Sequence, residues 1–501
     1  MKKHVRRIPA TYLVLILLLS CTRTAQQASL EKYVVVTQVT NPEWSKNAVI
    51  YEVNIRQHTP EGTFQAFMQD MPRLEEMGID ILWLMPIFPI GEKFRKATQT
   101  GFVYEIAKKE QREKYLGSYY SIRDYRAVNP EFGTIQDLKA LVDKAHELGM
   151  HVILDIAINH TAWDHEWVTT HPEYYTRIDT TNPPWNPEWM KQHPDYYREL
   201  KKLGMTYPDP ENETDWWDTA DLNYDNVDLH EEMKEIFTYW IAEVGIDGYR
   251  CDVAGKVPCV VWNKIRSAID DLDREVFMLA EDEHEYCLYE KAFGMNYGWE
   301  LHHRMNELAQ GRIDLTEFKK YFHKHDSIFD PAIYRMNFIT NHDENSWNGT
   351  IFERLGDAAE VYAFLTFTVP GMPLIYSGQE NGLNKRLAFF TKDTIPWTNN
   401  RWETIYSDFI RVKKENQALW NGVSGGEMEI LDTKAPGIFA FQRIRDNSKV
   451  IAIANLSDSL QQVRLGIDGT NFSTLLGVKG YDLSQEFLLG AYEYMLLVKE
   501  E

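Results

Sequence analysis

Four apolar segments of this 501-residue sequence end in residues that could carry acid–base or nucleophilic chemistry. In one of them, GYRCD, Arg250 and Asp252 stand two residues apart, so both side chains would share one face of a β-strand. Burying charged groups costs free energy unless they are paired with opposite charges or take part in function. Four strands that end in charged residues at one rim are therefore more than structural ion pairing alone would explain. The residues at these ends are Asp155 and His160, Arg250 and Asp252, Glu281, and His342 and Asp343.

Three of these carboxylates have surroundings that suit the cleavage of a glycosidic bond. A retaining glycosidase needs an ionised carboxylate as nucleophile and a protonated carboxylic acid roughly 5 to 5.5 Å away. The cation of Arg250 predicts a lowered pKa for Asp252, which favours Asp252 as the nucleophile. The apolar FMLA stretch before Glu281 predicts a raised pKa, which suits a proton donor. Asp343 would bind sugar hydroxyls and favour an oxocarbenium-like transition state.

The elements that must position these residues form a repeated unit of a β-rich run, a loop and, in most cases, a helical stripe. The clearest helix spans residues 133–149, with capping-box spacing at Thr134 and Asp137 and with Gly149 at its end. Eight such runs predict an α/β fold, a closed (β/α)8 TIM barrel whose C-terminal strand ends surround the active site. The predicted strands are residues 48–55, 79–89, 151–159, 245–252, 275–282, 291–296, 334–341 and 372–378.

Two regions depart from this repeat. Residues 161–223, rich in Trp, Pro, Asp and Tyr, predict a lobe inserted after the third strand, which divides the barrel into residues 45–160 and 224–424. Residues 425–501 contain β-rich runs without helical segments between them, which predicts a C-terminal antiparallel β-sandwich domain.

The N-terminus predicts export. A basic stretch and an apolar run from Tyr12 to Leu19 have the form of a secretory signal peptide over residues 1–20, too short to span a bilayer. The ending LLSC (18–21) resembles a bacterial lipoprotein box, which implies a lipid on Cys21 and a tether over residues 21–44. The protein would then be membrane-anchored outside the cytoplasm, in the periplasm or at the cell surface. The alternative is an ordinary signal peptide followed by an incidental cysteine.

Composition narrows the range of partners. The chain has 53 basic and 75 acidic residues, a net charge of −22, so a nucleic-acid partner is not expected.

Besides Cys21 the chain contains Cys251, Cys259 and Cys287, an odd number without the spacing of a metal site. This pattern predicts buried thiols rather than a disulfide or a zinc site. The composition does not indicate an oligomeric state.

Four motifs, in their order and spacing, resemble the signatures of the α-amylase family, glycoside hydrolase family 13. The resemblance covers roughly residues 45 to 500 and implies three catalytic roles. Asp252 would be the nucleophile, Glu281 the acid/base and Asp343 the stabiliser of the transition state. The motifs are DIAINH (155–160), GYRCD (248–252), LAED (279–282) and FITNHD (338–343).

The resemblance extends to the substrate-binding side of the site. Tyr120 would stack on the sugar being cleaved, His160 and His342 would hydrogen-bond to it, and Arg250 would complete this set. Asn159 corresponds to a position that often binds calcium in relatives, so a structural calcium is possible, although the chemistry itself needs no cofactor. The chain departs from many relatives at Gly255 and Lys256, after the nucleophile, and in the DEH sequence after Glu281. These departures concern the leaving-group side and leave the linkage and chain length of the substrate open.

The residues and the resemblance together predict a retaining hydrolase of α-1,4-glucosidic bonds in starch or malto-oligosaccharides. An α-1,6-acting glucosidase or a transglycosylase of the same family is the nearest alternative. A different class, a surface glycan-binding protein without turnover, would require that the three carboxylates be retained without use.

Overall fold

Eight parallel strands close into a barrel in the computed structural model, which describes residues 34–176, 194–203, 216–325, 327–398, 401–465, 472–477 and 485–499. The strands are β1 (Ile50–Val53), β2 (Ile81–Leu84), β3 (His151–Ala157), β4 (His160–Ala162), β5 (Thr219–Asp221), β6 (Gly248–Asp252), β7 (Phe277–Ala280), β8 (Met295–Tyr297), β9 (Tyr334–Asn337), β10 (Met372–Tyr376), β11 (Glu427–Ile430), β12 (Ile438–Arg445), β13 (Ser448–Asn455), β14 (Gln461–Val463), β15 (Phe472–Gly477), β16 (Phe487–Leu489) and β17 (Tyr494–Lys499).

The barrel order is β1-β10-β9-β8-β7-β6-β3-β2. Seven of the predicted runs contain one of these strands, and the run 291–296 overlaps β8, which ends one residue later at Tyr297. The prediction of a (β/α)8 barrel is therefore confirmed. The register places Ile153 beside Gly248 and Asp155 beside Arg250. Ile153 belongs to the apolar cluster that fills the barrel interior, so Asp155, two residues later, also points inward.

Most of the longer helices bury one face, as the helix before β3 illustrates. Thr134 and Asp137 form the predicted capping box, and Gly149 adopts the left-handed φ of 74° that ends the helix. None of the helices described has the length and apolar character needed to cross a bilayer. The helices are α1 (Ile55–His58), α2 (Phe64–Phe67), α3 (Met71–Met77), α4 (Lys109–Arg112), α5 (Ile135–Glu147), α6 (Trp167–Thr170), α7 (Pro194–Leu203), α8 (Val227–Tyr239), α9 (Cys259–Asp270), α10 (Leu288–Lys291), α11 (Trp299–Ala309), α12 (Leu315–His325), α13 (Ile351–Leu355), α14 (Ala359–Thr368) and α15 (Arg401–Glu415).

The chain leaves the barrel after β3 and returns before α8. Strands β4 and β5 pair antiparallel at this point, with His160 opposite Asp221, and α7 lies between them in sequence. Residues 177–193 and 204–215 of the predicted lobe lie outside the described residues, so the lobe as a domain stays a prediction.

The C-terminal residues form antiparallel sheets, as predicted. One sheet has the order β11-β12-β13-β17-β15, and a second sheet pairs β14 with β16. Ile451 and Ile453 of the larger sheet share one apolar cluster with Val463 and Leu489 of the smaller one. The two sheets therefore pack on a common core, which is the arrangement of a sandwich.

The N-terminal segment contacts the barrel from residue 35 onward. The Val35 amide donates a hydrogen bond to the Ile328 carbonyl at 2.9 Å, and the Trp44 ring stacks on His151 with 3.8 Å between ring centroids. The described part of the predicted tether thus lies against the fold. The predicted signal peptide and Cys21 lie outside the described residues.

The cysteine prediction is wrong for two of the three residues. Cys259 and Cys287 form a disulfide with their Cα atoms 6.1 Å apart, while Cys251 is a buried free thiol. The disulfide joins the start of α9 to the residue before α10. These two positions meet because β6 and β7 are neighbours in the barrel, and a separation of 28 residues in sequence does not reveal this.

Candidate active site

The predicted catalytic side chains meet at the C-terminal rim because of strand periodicity. Phe277 and Leu279 of β7 point into the barrel, so Glu281, which follows in the same alternation, reaches the rim on the inner side. By the same rule Arg250 and Asp252 both point inward from β6. The barrel therefore brings together three charged side chains that two separate strands supply.

Arg250 is the centre of this arrangement, and its side chain is completely buried. Its Nη1 atom donates hydrogen bonds to Asp155 Oδ1 at 2.8 Å and to Asp252 Oδ1 at 2.7 Å. Its Nη2 atom lies 2.8 Å from Glu281 Oε2, and its Nε atom donates to the Tyr297 hydroxyl at 3.0 Å. One cation thus faces three carboxylates, so keeping all three ionised would leave uncompensated negative charge in a buried site.

A proton on one of the carboxyl groups relieves this excess of negative charge. Burial raises the pKa of Glu281 to about 8, and the charges of Asp252 and Asp343 raise it while Arg250 lowers it. The raised pKa has the predicted direction and keeps Glu281 protonated at neutral pH. Burial also raises the pKa of Asp155 to about 6, against the opposing effect of Arg250.

The predicted lowering of the Asp252 pKa is wrong in its net direction. Burial raises the pKa of Asp252 above its ordinary value, and this effect exceeds the lowering by Arg250. A hydrogen bond from Glu281 also favours ionised Asp252. Because Glu281 keeps the shared proton and Arg250 donates directly to Asp252, Asp252 is the member of the pair suited to remain a carboxylate.

Val253 adds a strained backbone contact to the pair. It has φ 36° and ψ 46°, a left-handed conformation that is rare for a β-branched residue. In this conformation its N–H donates to Glu281 Oε2 at 2.9 Å. The Val253 amide and Arg250 Nη2 both contact Oε2 of Glu281. The proton of Glu281 is therefore expected on its other oxygen, Oε1.

A second hydrogen-bonded chain runs through the histidine of the fourth motif. His342 Nδ1 contacts Glu52 Oε1, and His342 Nε2 lies 2.7 Å from the Tyr120 hydroxyl. The Tyr120 hydroxyl in turn donates to Asp155 Oδ2 at 3.0 Å. Burial lowers the pKa of His342, but Asp343 and Glu52 more than offset it and raise it to about 9. His342 is therefore an imidazolium whose two N–H groups are fixed by its partners.

The three catalytic candidates differ in how far they reach solvent. The Asp343 side chain is 38 % exposed, compared with 10 % for Asp252 and 13 % for Glu281. Asp343 Oδ2 lies 3.5 Å from His342 Nε2, at the start of a π-helical turn (Glu344–Asn348). A sugar entering from the solvent side would thus meet Asp343 before the buried pair.

His160, at the start of β4, is a neutral group. Burial lowers its pKa to about 4, and its Nε2 atom is buried without a hydrogen-bond partner among the described residues. The ring of Trp216 lies 5.4 Å from the imidazole, and Lys256 Nζ lies 5.2 Å from the Trp216 ring centroid. A neutral imidazole with a free nitrogen can bind a hydroxyl without adding charge.

The departures after the nucleophile have a structural reason. A Cβ atom on Gly255 would lie 2.3 Å from Asp282 Oδ2, so this carboxylate occupies the space that a side chain would need. Asp282 Oδ1 accepts the amides of His284 and Glu285 at 2.7 and 2.6 Å. Asp282, which follows Glu281 directly in sequence, thus places an additional carboxylate against Gly255.

Comparison with known proteins agrees with this geometry. The family model described as the catalytic domain of alpha amylase matches residues 38–418. The chain belongs to the α-amylase family. It is a glycoside hydrolase of that family, whose chemistry needs no cofactor.

The similar proteins span several activities. Alpha-amylase 3 of Dictyoglomus thermophilum is 25% identical over 468 residues, covering 83% of this chain and 86% of that protein. Trehalose synthase of Thermus thermophilus is 24% identical over 533 residues, covering 85% of this chain and 52% of that protein. The crystal structure of an alpha-amylase from Lactobacillus plantarum is 26% identical with a TM-score of 0.73, covering 91% of this chain and 100% of that one.

Three residues of this α-amylase family site escaped the sequence analysis. Glu52 contacts His342, Tyr297 accepts a hydrogen bond from Arg250, and Trp83 Nε1 donates to Asp155 Oδ2 at 3.1 Å. For Glu52 a signal existed, because an acidic residue inside the apolar run AVIYEVNI requires a buried partner. Tyr297 and Trp83 resemble ordinary core aromatics in sequence and carry no such signal.

Asn159, the predicted calcium ligand, makes hydrogen-bonding contacts within the chain. Its Nδ2 atom lies 3.3 Å from His160 Nδ1, and its carbonyl accepts the Leu222 amide at 3.0 Å. Among the described residues, the two converging groups of metal-ligand type lie elsewhere and contain no residue of the loop between β3 and β4. Calcium stays a prediction, and no catalytic step depends on it.

We expect Glu281 to set the basic limb of the pH profile. Activity on malto-oligosaccharides should fall as pH rises through about 8, because Glu281 then loses the proton that the leaving oxygen requires. The measurement is kcat/KM against pH, with α-maltosyl fluoride as the control, since fluoride leaves without protonation. An equally steep limb near pH 8 for both substrates would contradict the assignment.

We expect Glu52→Gln to make His342 titrate in the active pH range. Without the Glu52 charge, the pKa of His342 should fall from about 9 by about one unit or more. The kcat/KM profile should then decline at lower pH than in the wild type. Glu380→Gln is the matched control, because Glu380 is equally buried but pairs with Tyr51 and Arg73, outside the site. An unchanged profile in Glu52→Gln, or the same shift in Glu380→Gln, would refute the role of Glu52.

Proposed function

We propose that this enzyme is a retaining hydrolase of α-1,4-glucosidic bonds in starch or malto-oligosaccharides. The observation that carries the proposal is the contact of one guanidinium with both Asp252 Oδ1 and Glu281 Oε2. Asp252 and Glu281 are also joined by a hydrogen bond, so their carboxyl groups are too close together to hold between them the water molecule that an inverting enzyme uses. This is the arrangement of a retaining rather than an inverting enzyme.

The chemistry follows in two balanced steps. Asp252 attacks the anomeric carbon while Glu281 gives its proton to the glycosidic oxygen, so the C–O bond breaks and the shortened glucan leaves as an alcohol. Glu281, now a carboxylate, takes a proton from water, and the resulting oxygen nucleophile displaces Asp252 from the same carbon. Two displacements keep the α configuration, and Glu281 ends the cycle protonated.

The surrounding residues hold the sugar for these steps. The Nε2 atom of His160 can donate to or accept from a sugar hydroxyl group, depending on its tautomer, and the exposed carboxylate of Asp343 can accept from one. The imidazolium of His342 keeps Tyr120 in place. The Tyr120 ring lies nearly parallel to that of His342, at 25° and 5.5 Å between centroids. Hydrogen bonds that strengthen as positive charge develops on the sugar would favour the transition state.

Transfer rather than hydrolysis is the principal alternative. A trehalose synthase and an alpha-1,4-glucan:maltose-1-phosphate maltosyltransferase are among the similar proteins, so an acceptor other than water is chemically accessible to this family. The resemblance to the family implies that Lys256 and the DEH sequence beginning at Asp282 belong to the leaving-group side, where an acceptor would also bind. An α-1,6 linkage preference would depend on the same side of the site.

The wild type should convert maltoheptaose to shorter α-configured products, and Asp252→Asn should lower kcat by about 1,000-fold or more. Asp80→Asn is the matched control, because Asp80 is a part-buried aspartate paired with Lys414 at the opposite end of the barrel.

Product profiles on maltoheptaose, pullulan and isomaltose, with and without chelator, separate hydrolysis, α-1,6 cleavage and transfer. Full activity in Asp252→Asn would overturn the nucleophile assignment, and binding without any products would favour a silent glycan-binding protein.

We also propose that the enzyme is exported and anchored by a lipid on Cys21, at the periplasmic face or the cell surface. The basic and apolar stretches of residues 1–20 and the LLSC sequence support this proposal. Labelling of the full chain with radioactive palmitate in a bacterial host should be lost in Cys21→Ala. Equal labelling of both chains, or labelling of neither, would count against the anchor.

A further inference from the structure

Two histidines and an aspartate meet at the N-terminal end of the barrel, opposite the active site. His146 lies in the last turn of α5, His151 begins β3, and Asp247 lies just before β6. One ligand atom from each side chain falls within 4.8 Å of the other two. Three separate segments of the chain thus present two imidazoles and one carboxylate to a common point.

The carboxylate of Asp247 joins the two histidines. His146 Nε2 lies 2.8 Å from Asp247 Oδ2, and His151 Nδ1 lies 3.5 Å from Asp247 Oδ1. The two imidazoles therefore face different oxygens of one carboxylate. His151 Nδ1 is buried, and at 3.5 Å from the Asp247 carboxylate it has no hydrogen-bond partner at ordinary distance among the described residues.

Neighbouring residues hold two of the three side chains in place. The Val152 amide donates to Asp247 Oδ2 at 2.8 Å, which orients the carboxylate. The Trp44 ring stacks on His151 at an interplanar angle of 13°, which fixes the imidazole plane. Such outer contacts are typical of metal ligands, because they set the direction of the lone pairs. The His146 side chain is 37 % exposed, so an ion and its water ligand can reach the group.

We propose that His146, His151 and Asp247 bind a divalent transition-metal ion, with Zn²⁺ as the expected occupant. Two imidazole nitrogens, one carboxylate oxygen and a water molecule complete a tetrahedral site. Imidazole nitrogen favours Zn²⁺, Co²⁺, Ni²⁺ or Cu²⁺ over Ca²⁺ and Mg²⁺, which prefer oxygen ligands. Because the ligands come from α5, β3 and the segment before β6, the ion would tie these elements together and stabilise only the folded chain.

The other converging group in the described residues does not offer the same chemistry. It consists of Cys259, Glu285 and Cys287, and both sulfur atoms are bonded to each other in the disulfide. A disulfide sulfur is not a thiolate ligand. The histidine group is therefore the stronger candidate for a metal.

The test is calorimetric titration of the full chain, prepared without a polyhistidine tag, with Zn²⁺. One ion per chain should bind, and His146→Gln and His151→Gln should each weaken binding by about 100-fold or more, since each removes a ligand. His171→Gln is the matched control, because His171 also faces one carboxylate, Glu173 at 3.2 Å, but belongs to neither converging group. It should bind Zn²⁺ as the wild type does.

Two further measurements keep the proposal falsifiable. Co²⁺ should give the intense visible absorption of a four-coordinate site in the wild type and lose it in His146→Gln. Thermal unfolding without metal should be similar in the wild type and His146→Gln, because His146 is partly exposed, and only the wild type should gain stability from Zn²⁺. The proposal fails if the wild type binds no Zn²⁺, if His146→Gln and His151→Gln bind it unchanged, or if Ca²⁺ or Mg²⁺ binds there equally well.

Discussion

The active site depends on one buried cation. Arg250 has no exposed side-chain surface and contacts Asp155, Asp252 and Glu281, each at 2.7 to 2.8 Å. Without this guanidinium, three carboxylates would lie in the barrel mouth with no cation in direct contact among the described residues, at a cost of several kcal/mol per buried ion. With it, two negative charges and one proton can be accommodated, and the proton stays on Glu281. Burial and the charges around Arg250 together therefore place the proton on Glu281 rather than on Asp252.

Barrel closure makes this arrangement possible. The register between β3 and β6 sets Asp155 beside Arg250, and closure through β1 and β10 brings Glu52 to His342, which is 290 residues away in sequence. Asp155 accepts hydrogen bonds from both Arg250 and Tyr120. It therefore connects the carboxylates around Arg250 to the hydrogen-bonded chain of Glu52, His342 and Tyr120. A change in one carboxylate should therefore alter the pKa of groups on several strands.

Much of this organisation could be predicted from the sequence. The eight β-rich runs, the capping box of α5 and the convergence of Asp252, Glu281 and Asp343 on one rim rest on short-range patterns. The net pKa of Asp252 could not be predicted, because Arg250 is visible two residues away whereas the extent of burial is not. The Cys259–Cys287 disulfide was missed because it joins segments that follow two neighbouring strands. The spacing of cysteines in the sequence does not show the order of strands in a closed sheet.

The sequence by itself determined which face each strand residue occupies, because side chains alternate along a strand whatever lies around it. Arg250 and Asp252 point the same way for this local reason. Only the tertiary structure decided which partners they contact, how deeply they are buried and which carboxyl group is protonated. Those properties depend on groups brought together from distant parts of the chain, such as Glu52 and His342, and the energy of a buried charge depends on all its neighbours at once.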